Sequence, residues 1–117
     1  MHRERLEQMV TMLRGLPVDA EPKFHLRTWN CGTTACAVGH ACFYQPLIDQ
    51  GLRWNSMDRV PEFEGEESWD AVRGFFGLGR EDAEYLFYDE CYPSYGEFTT
   101  AIDVADRIEQ LIAGTSV

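Results

Sequence analysis

The chain has 117 residues, 44% of them hydrophobic, with seven Phe, five Tyr and three Trp, which is the size of one domain with enough apolar side chain to bury a core. No apolar run approaches the ~20 residues of a membrane-spanning helix. Twenty acids against ten Lys and Arg leave a net charge of -10, a field that disfavours direct binding to nucleic-acid phosphates, which needs basic residues to displace counterions, and favours a basic partner.

The opening MHRERLEQMV carries charges where an export signal has an uninterrupted apolar stretch, so the expected compartment is the cytoplasm and the four cysteines are expected to be reduced. Leu6, Met9, Val10 and Leu13 recur at helical spacing with Gly15 and Pro17 just beyond, predicting an amphipathic helix with a stop signal. Residues 16–30 read as a connecting loop that Phe24, Leu26 and Trp29 tuck onto the core. A second helix is expected from Ala35 to about Gln45, capped by Thr33 or Thr34 and kinked by Pro46 before ending at Gly51. RWNSMDRVPEFEGEE reads as a loop, with weak strand-like alternation at LRWNSM.

Two short helices follow, the first burying Trp69, Val72 and Phe76, the second Ala83, Leu86 and Phe87, with Gly77 and Gly79 supplying the turn. The same turn suits a helix-turn-helix, but Glu81, Asp82 and Glu84 at the start of the would-be recognition helix oppose DNA, and a plain αα-corner needs only the same glycines. Thr100 with Asp103 makes a capping-box-like start to a last helix burying Ile102, Ala105, Ile108 and Ile112. The expected fold is all-α, a single helical domain over residues 1–117 of about five helices including the short αα-corner.

Two regions invite function. In NCGTTACAVGHACFY, residues 30–44, the simplest reading is packing: Gly39 permits close helix approach and Cys36 and Cys42 serve as small buried hydrophobes. Three chemical readings stand beside it. Cys31, Cys36 and His40 could converge on zinc, with Cys42, Cys91 or His25 as a fourth ligand, although C-x4-C-x3-H is not a common zinc spacing. Cys31 or Cys36 near a helix N-terminus could be an activated nucleophile with His40 as base. The CGTTAC stretch resembles the cysteine-on-helix arrangement of papain-like enzymes, without room for their downstream histidine. Cys31, Gly32, Thr33, Thr34 and His40 could also line an anionic-ligand site at a helix mouth, yet no nucleotide-binding glycine motif is present. No cofactor is expected.

The other region is acidic. Residues 58–90 hold eleven acids against three arginines, and eleven of the fifteen aromatics lie within residues 54–98. Glu62, Glu64, Glu66 and Glu67 are the expected partner-binding residues, on an exposed loop and early helix from Asp58 to Asp70, because so many carboxylates resist joint desolvation. An acidic, aromatic surface suits a protein partner with a basic surface.

The order WNCGTTACAVGHA, then FFGL followed by EDAEYLF, then TAIDVADRI resembles a group of small uncharacterised proteins from phages and bacteria, over residues 29 to about 112. The resemblance implies that Cys31, Gly32, Thr33, Cys36, Gly39 and His40 are family positions, and it implies no reaction. Where that group reads Thr-Pro, this chain reads Thr100-Ala101. The expectation is a non-enzymatic binding protein, a phage or bacterial accessory protein acting on a host protein or defence system. The alternatives are a small-ligand or zinc-binding domain and a cysteine-dependent enzyme.

Overall fold

The computed structural model describes residues 1–17, 23–25, 29 and 34–115. The periodic opening forms α1, Arg3–Gly15, whose apolar stripe buries Leu6, Met9, Val10, Met12 and Leu13. Most of that face meets the last helix, α6, Ala101–Thr115. Arg14 ties the two together, its Nη2 at 2.7 Å from Asp106 and its Nε at 3.1 Å from Glu109. The start of α6 is a reciprocal capping box: Thr100 Oγ1 accepts from the Asp103 N–H at 3.2 Å, and Asp103 Oδ2 accepts from the Thr100 N–H at 3.0 Å. The buried stripe of α6 is Val104, Ala105, Ile108 and Ile112, whereas Ile102, expected in the core, is exposed.

Between these helices the chain departs from the all-α expectation. Lys23–Phe24 (β1) pairs in parallel with Thr34–Ala35 (β2). The helix expected from Ala35 to Gln45 is instead a single turn and a half, α2, Ala37–Ala41, followed after a break by α3, Gln45–Ile48. Pro46 therefore does not kink a long helix; it sits in the first turn of a new one, where its missing N–H costs nothing. The α2 cap is neither Thr33 nor Thr34 but Cys36, whose Sγ accepts from the Gly39 N–H at 3.4 Å.

The stretch read as a loop after Gly51 is a three-stranded antiparallel sheet of β3 (Arg53–Asn55), β4 (Val60–Phe63) and β5 (Glu66–Glu67), with β4 central. Glu64 (φ +50°) and Gly65 (φ +85°) join β4 to β5 in a two-residue connection, and two successive left-handed residues suit the twist of a tight hairpin. Phe63 turns inward to meet Phe75 edge-on, ring centroids 5.0 Å apart. Arg5 of α1 fastens the sheet from the other side: its guanidinium lies 4.4 Å over the Phe75 ring and 5.3 Å over Phe63 and donates to the Phe75 carbonyl at 2.8 Å. Such cation–aromatic stacking gains strength as water is excluded.

The αα-corner is present. The helix α4, Ser68–Phe76, buries Ala71, Val72, Phe75 and Phe76, and α5, Arg80–Phe87, buries Ala83, Leu86 and Phe87. Trp69, expected in the core, is half-buried and meets Trp29 and Tyr88 edge-on at 5.2 and 5.8 Å. Gly77 ends α4 in the left-handed region at φ +62°. The chain start packs beside it, the His2 N–H donating to the Phe76 carbonyl at 2.7 Å. Two 3-10 segments, Asp89–Cys91 and Pro93–Gly96, carry the chain from α5 to α6. Among the described residues the fold is thus mixed, six α-helices with a small antiparallel sheet and a short parallel pair, and no helix is long and apolar enough to cross a membrane.

Candidate functional site

The cysteine-rich segment packs into the core wherever it is described. Cys36, Ala37, Val38, Ala41 and Cys42 are buried, and so is His40, whose ring lies nearly parallel to Phe24 (13°) at 6.2 Å. That stacking lays β1 onto α2, and the Cys36 N–H reaches the Trp29 carbonyl at 3.3 Å. Cys42 donates from Sγ to the Arg53 carbonyl at 3.4 Å, joining α2 to the sheet. Both sulfurs are thereby engaged in local structure.

Their electrostatics run opposite to the activated thiol expected at a helix mouth. Burial pushes the Cys36 thiol up to about 11, outweighing the backbone N–H groups that favour its thiolate, and burial pushes Cys42 up to about 12, with the neighbouring Cys36 adding to the rise. The physical reason is that α2 spans only Ala37–Ala41: so short a helix offers a weak dipole, whereas desolvating a thiolate is costly. Cys31, Gly32 and Thr33 lie outside the described residues, and of Thr34 only the backbone pairing is described. Among the described residues no three His, Cys, Asp or Glu are arranged to hold a metal ion.

The four glutamates singled out by sequence do not form one patch. In the β4–β5 ladder Glu62 stands directly opposite Glu67, and Phe63 opposite Glu66, so Glu62 and Glu67 share one face, Glu66 lies on the other, and Glu64 is at the turn. Like charges paired across two strands repel. Asn55 sits between them: its Nδ2 donates to Glu67 at 3.0 Å and Glu62 at 3.1 Å, with Asp58 at 3.4 Å. Its Oδ1 accepts from the backbone N–H groups of Met57 and Asp58, both at 3.0 Å, which fixes the amide's orientation and shapes the β3–β4 turn. One amide group has two hydrogens for three carboxylates, and among the described residues no lysine or arginine pairs with any of the three.

Sequence reasoning missed a groove between α5, the second 3-10 segment and α6. It encloses about 380 Å³ and is lined by Tyr85, Phe98, Thr99, Asp103 and Arg107 among others. Its floor is built from three elements. The Arg107 guanidinium lies 3.6 Å over the Tyr92 ring and 4.5 Å over Tyr85 and donates to the Tyr85 carbonyl at 2.7 Å. Tyr92 is itself pinned, its hydroxyl donating to the Leu86 carbonyl at 2.6 Å. The density of aromatics over residues 54–98 was the one sequence signal that bore on this groove.

No protein-family model, no curated protein and no solved structure matches this chain.

Proposed function

We propose that this chain acts by binding a protein with a basic surface, without a reaction of its own, as a phage or bacterial accessory protein directed at a host protein or defence system in the cytoplasm. The observation that carries the reading is the clustering of Asp58, Glu62 and Glu67 around the single Asn55 amide. Three carboxylates sharing one neutral donor leave lone pairs that a guanidinium or ammonium from a partner would satisfy with charge-assisted hydrogen bonds. The net charge of -10 adds long-range attraction for such a partner and repels nucleic acid. The phage and host setting rests on the resemblance noted above.

The test is a pull-down from host lysate compared between the wild-type chain and a variant carrying Asp58→Lys and Glu67→Lys, two of the three carboxylates around Asn55. Because these side chains are exposed, the variant is expected to keep its melting temperature and to lose the captured protein. Capture by wild type is expected to weaken steeply as salt rises. Equal capture by both proteins, insensitive to salt, would refute the reading.

A further inference from the structure

Among the described residues seven large hydrophobics are exposed, and four of them fall on the stretch from α5 to the first turn of α6: Tyr85 at 41%, Tyr95 at 58%, Phe98 at 77% and Ile102 at 43%. Scattered apolar residues on a surface need no explanation, but a local concentration beside a concavity marks a recognition site. Phe98 and Tyr85 line the groove described above, and the segment carrying Phe98 is held in an unusual backbone. Ser94 and Tyr95 are consecutive non-glycine residues in the left-handed region, at φ +54° and +53°, a conformation proteins retain where the surrounding structure over-determines it. Backbone bonds from the Glu97 N–H to Ser94 and from the Thr99 N–H to Gly96, at 3.1 and 3.2 Å, brace the same segment.

We infer that the groove between Tyr85, Phe98 and Arg107 docks a basic segment of a protein partner, taking one aromatic or large aliphatic side chain of that segment between Phe98 and the Arg107–Tyr92 stack while flanking lysines or arginines face the acidic rim. The inference deepens the binding function proposed above and rests on it. Charge complementarity selects this occupant. Residues 81–110 hold nine acids and a single basic residue, Arg107; Arg80 and Arg14 bridge three of the nine, Glu84, Asp106 and Glu109, the surplus stays acidic, and the Arg107 charge lies on the aromatic floor against Tyr92 and Tyr85. Asp103 lines the groove with an exposed carboxylate, whereas Asp106 beside it is already bridged by Arg14, so a basic flanking residue finds its partner at Asp103 and an acidic or phosphorylated one meets repulsion there. The floor is preorganised: guanidinium, Tyr92 hydroxyl and loop backbone are already fixed by their own hydrogen bonds, which limits the ordering cost of binding. A large side chain anchored in a well-packed pocket from which its surroundings exclude water is the usual anatomy of a binding hot spot.

The experiment is a titration of the isotope-labelled full chain, followed by backbone amide NMR, with a seven-residue peptide of lysines and arginines around one central phenylalanine. Control peptides carry alanine at the centre or glutamate in place of the basic residues. The expected result is saturable shifts at Phe98, Thr99 and Arg107 with the phenylalanine peptide, at least tenfold weaker binding of the alanine peptide, and none of the glutamate peptide. Phe98→Ala, at an exposed position and so expected to fold normally, should lower the affinity about tenfold. Shifts confined to the Glu62–Glu67 hairpin would overturn the groove while leaving the basic-partner reading standing, and no shifts anywhere would overturn both. Equal binding of the phenylalanine and alanine peptides in the groove would overturn the anchor and with it the inference.

Discussion

Substitution of Gly77 separates two constraints that act on one residue. Gly77 adopts φ +62°, ψ +42°, and a Cβ there would stand 3.1 Å from the His2 backbone nitrogen and 3.4 Å from Met1. Gly77→Ala therefore meets a left-handed backbone, costing about 1–2 kcal/mol for an L-residue. It also displaces the chain start, losing the His2 to Phe76 bond, whose net worth is about 0.5–1.5 kcal/mol. The two residues ahead of α1 can swing aside, so the second cost stops at that one bond, and the expected total is about 2–3 kcal/mol. Gly77→Asn carries the same Cβ but tolerates the left-handed region, so it should cost about 1 kcal/mol. Urea unfolding of the three proteins, with unchanged m-values, reads the difference directly. Equal destabilisation by Ala and Asn would show that the left-handed backbone is not the constraint. Losses below about 0.5 kcal/mol for both would refute the whole account.

Three further outcomes are expected. Thr100→Ala and Asp103→Ala should each cost about 1 kcal/mol in denaturant unfolding, and the double variant clearly less than their sum, because the two side chains form one reciprocal cap; additive losses would mean two independent contacts. Gly79 caps α5 with extended backbone, and a Cβ added there would meet open space, so Gly79→Ser should stabilise the chain by a few tenths of a kcal/mol, visible as a small rise in thermal midpoint. Cys36 and Cys42 hold their protons in the fold to about 11 and about 12 against an ordinary value of 9.0; above pH 9 the unfolded chain therefore binds fewer protons than the native one, and stability should be intact below pH 9 and fall from there towards pH 11. Unfolding at several alkaline pH values checks this, with a Cys36→Ala, Cys42→Ala variant expected to show a shallower decline.

Much of the helical frame was legible because its signals are local. The α1 stripe, the glycine corner between α4 and α5, the core face of α5 and the Thr100 cap depend on residues within one or two turns of each other, and the structure bears them out. The sheet was illegible for an equally physical reason: strands of two to four residues show too few alternations to stand out. Glu62, Glu66 and Glu67 made VPEFEGEE look like solvated loop, although Glu64-Gly65 beyond Phe63 is hairpin chemistry. Cysteine is not among the usual helix caps, so Cys36 gave no warning that α2 begins two residues late. The surface half of the aromatics could not be told from the core half: Phe75, Phe76 and Phe87 are buried while Tyr85, Tyr95 and Phe98 are not, and only the assembled groove reveals which are which.

The pairing of α1 with α6 has a consequence for how the protein is made. The residues that clasp these helices, Arg14 with Asp106 and Glu109, are 92 and 95 positions apart. A ribosome adding about 5–20 residues per second leaves α1 waiting several seconds for its counterpart. Throughout that interval Leu6, Met9 and Leu13, which end fully buried, lack the largest part of their cover, and only the earlier-made α2, α3 and α4 are there to shield that amphipathic face. The clasp of Arg14 on Asp106 and Glu109 can form only once α6 has been made.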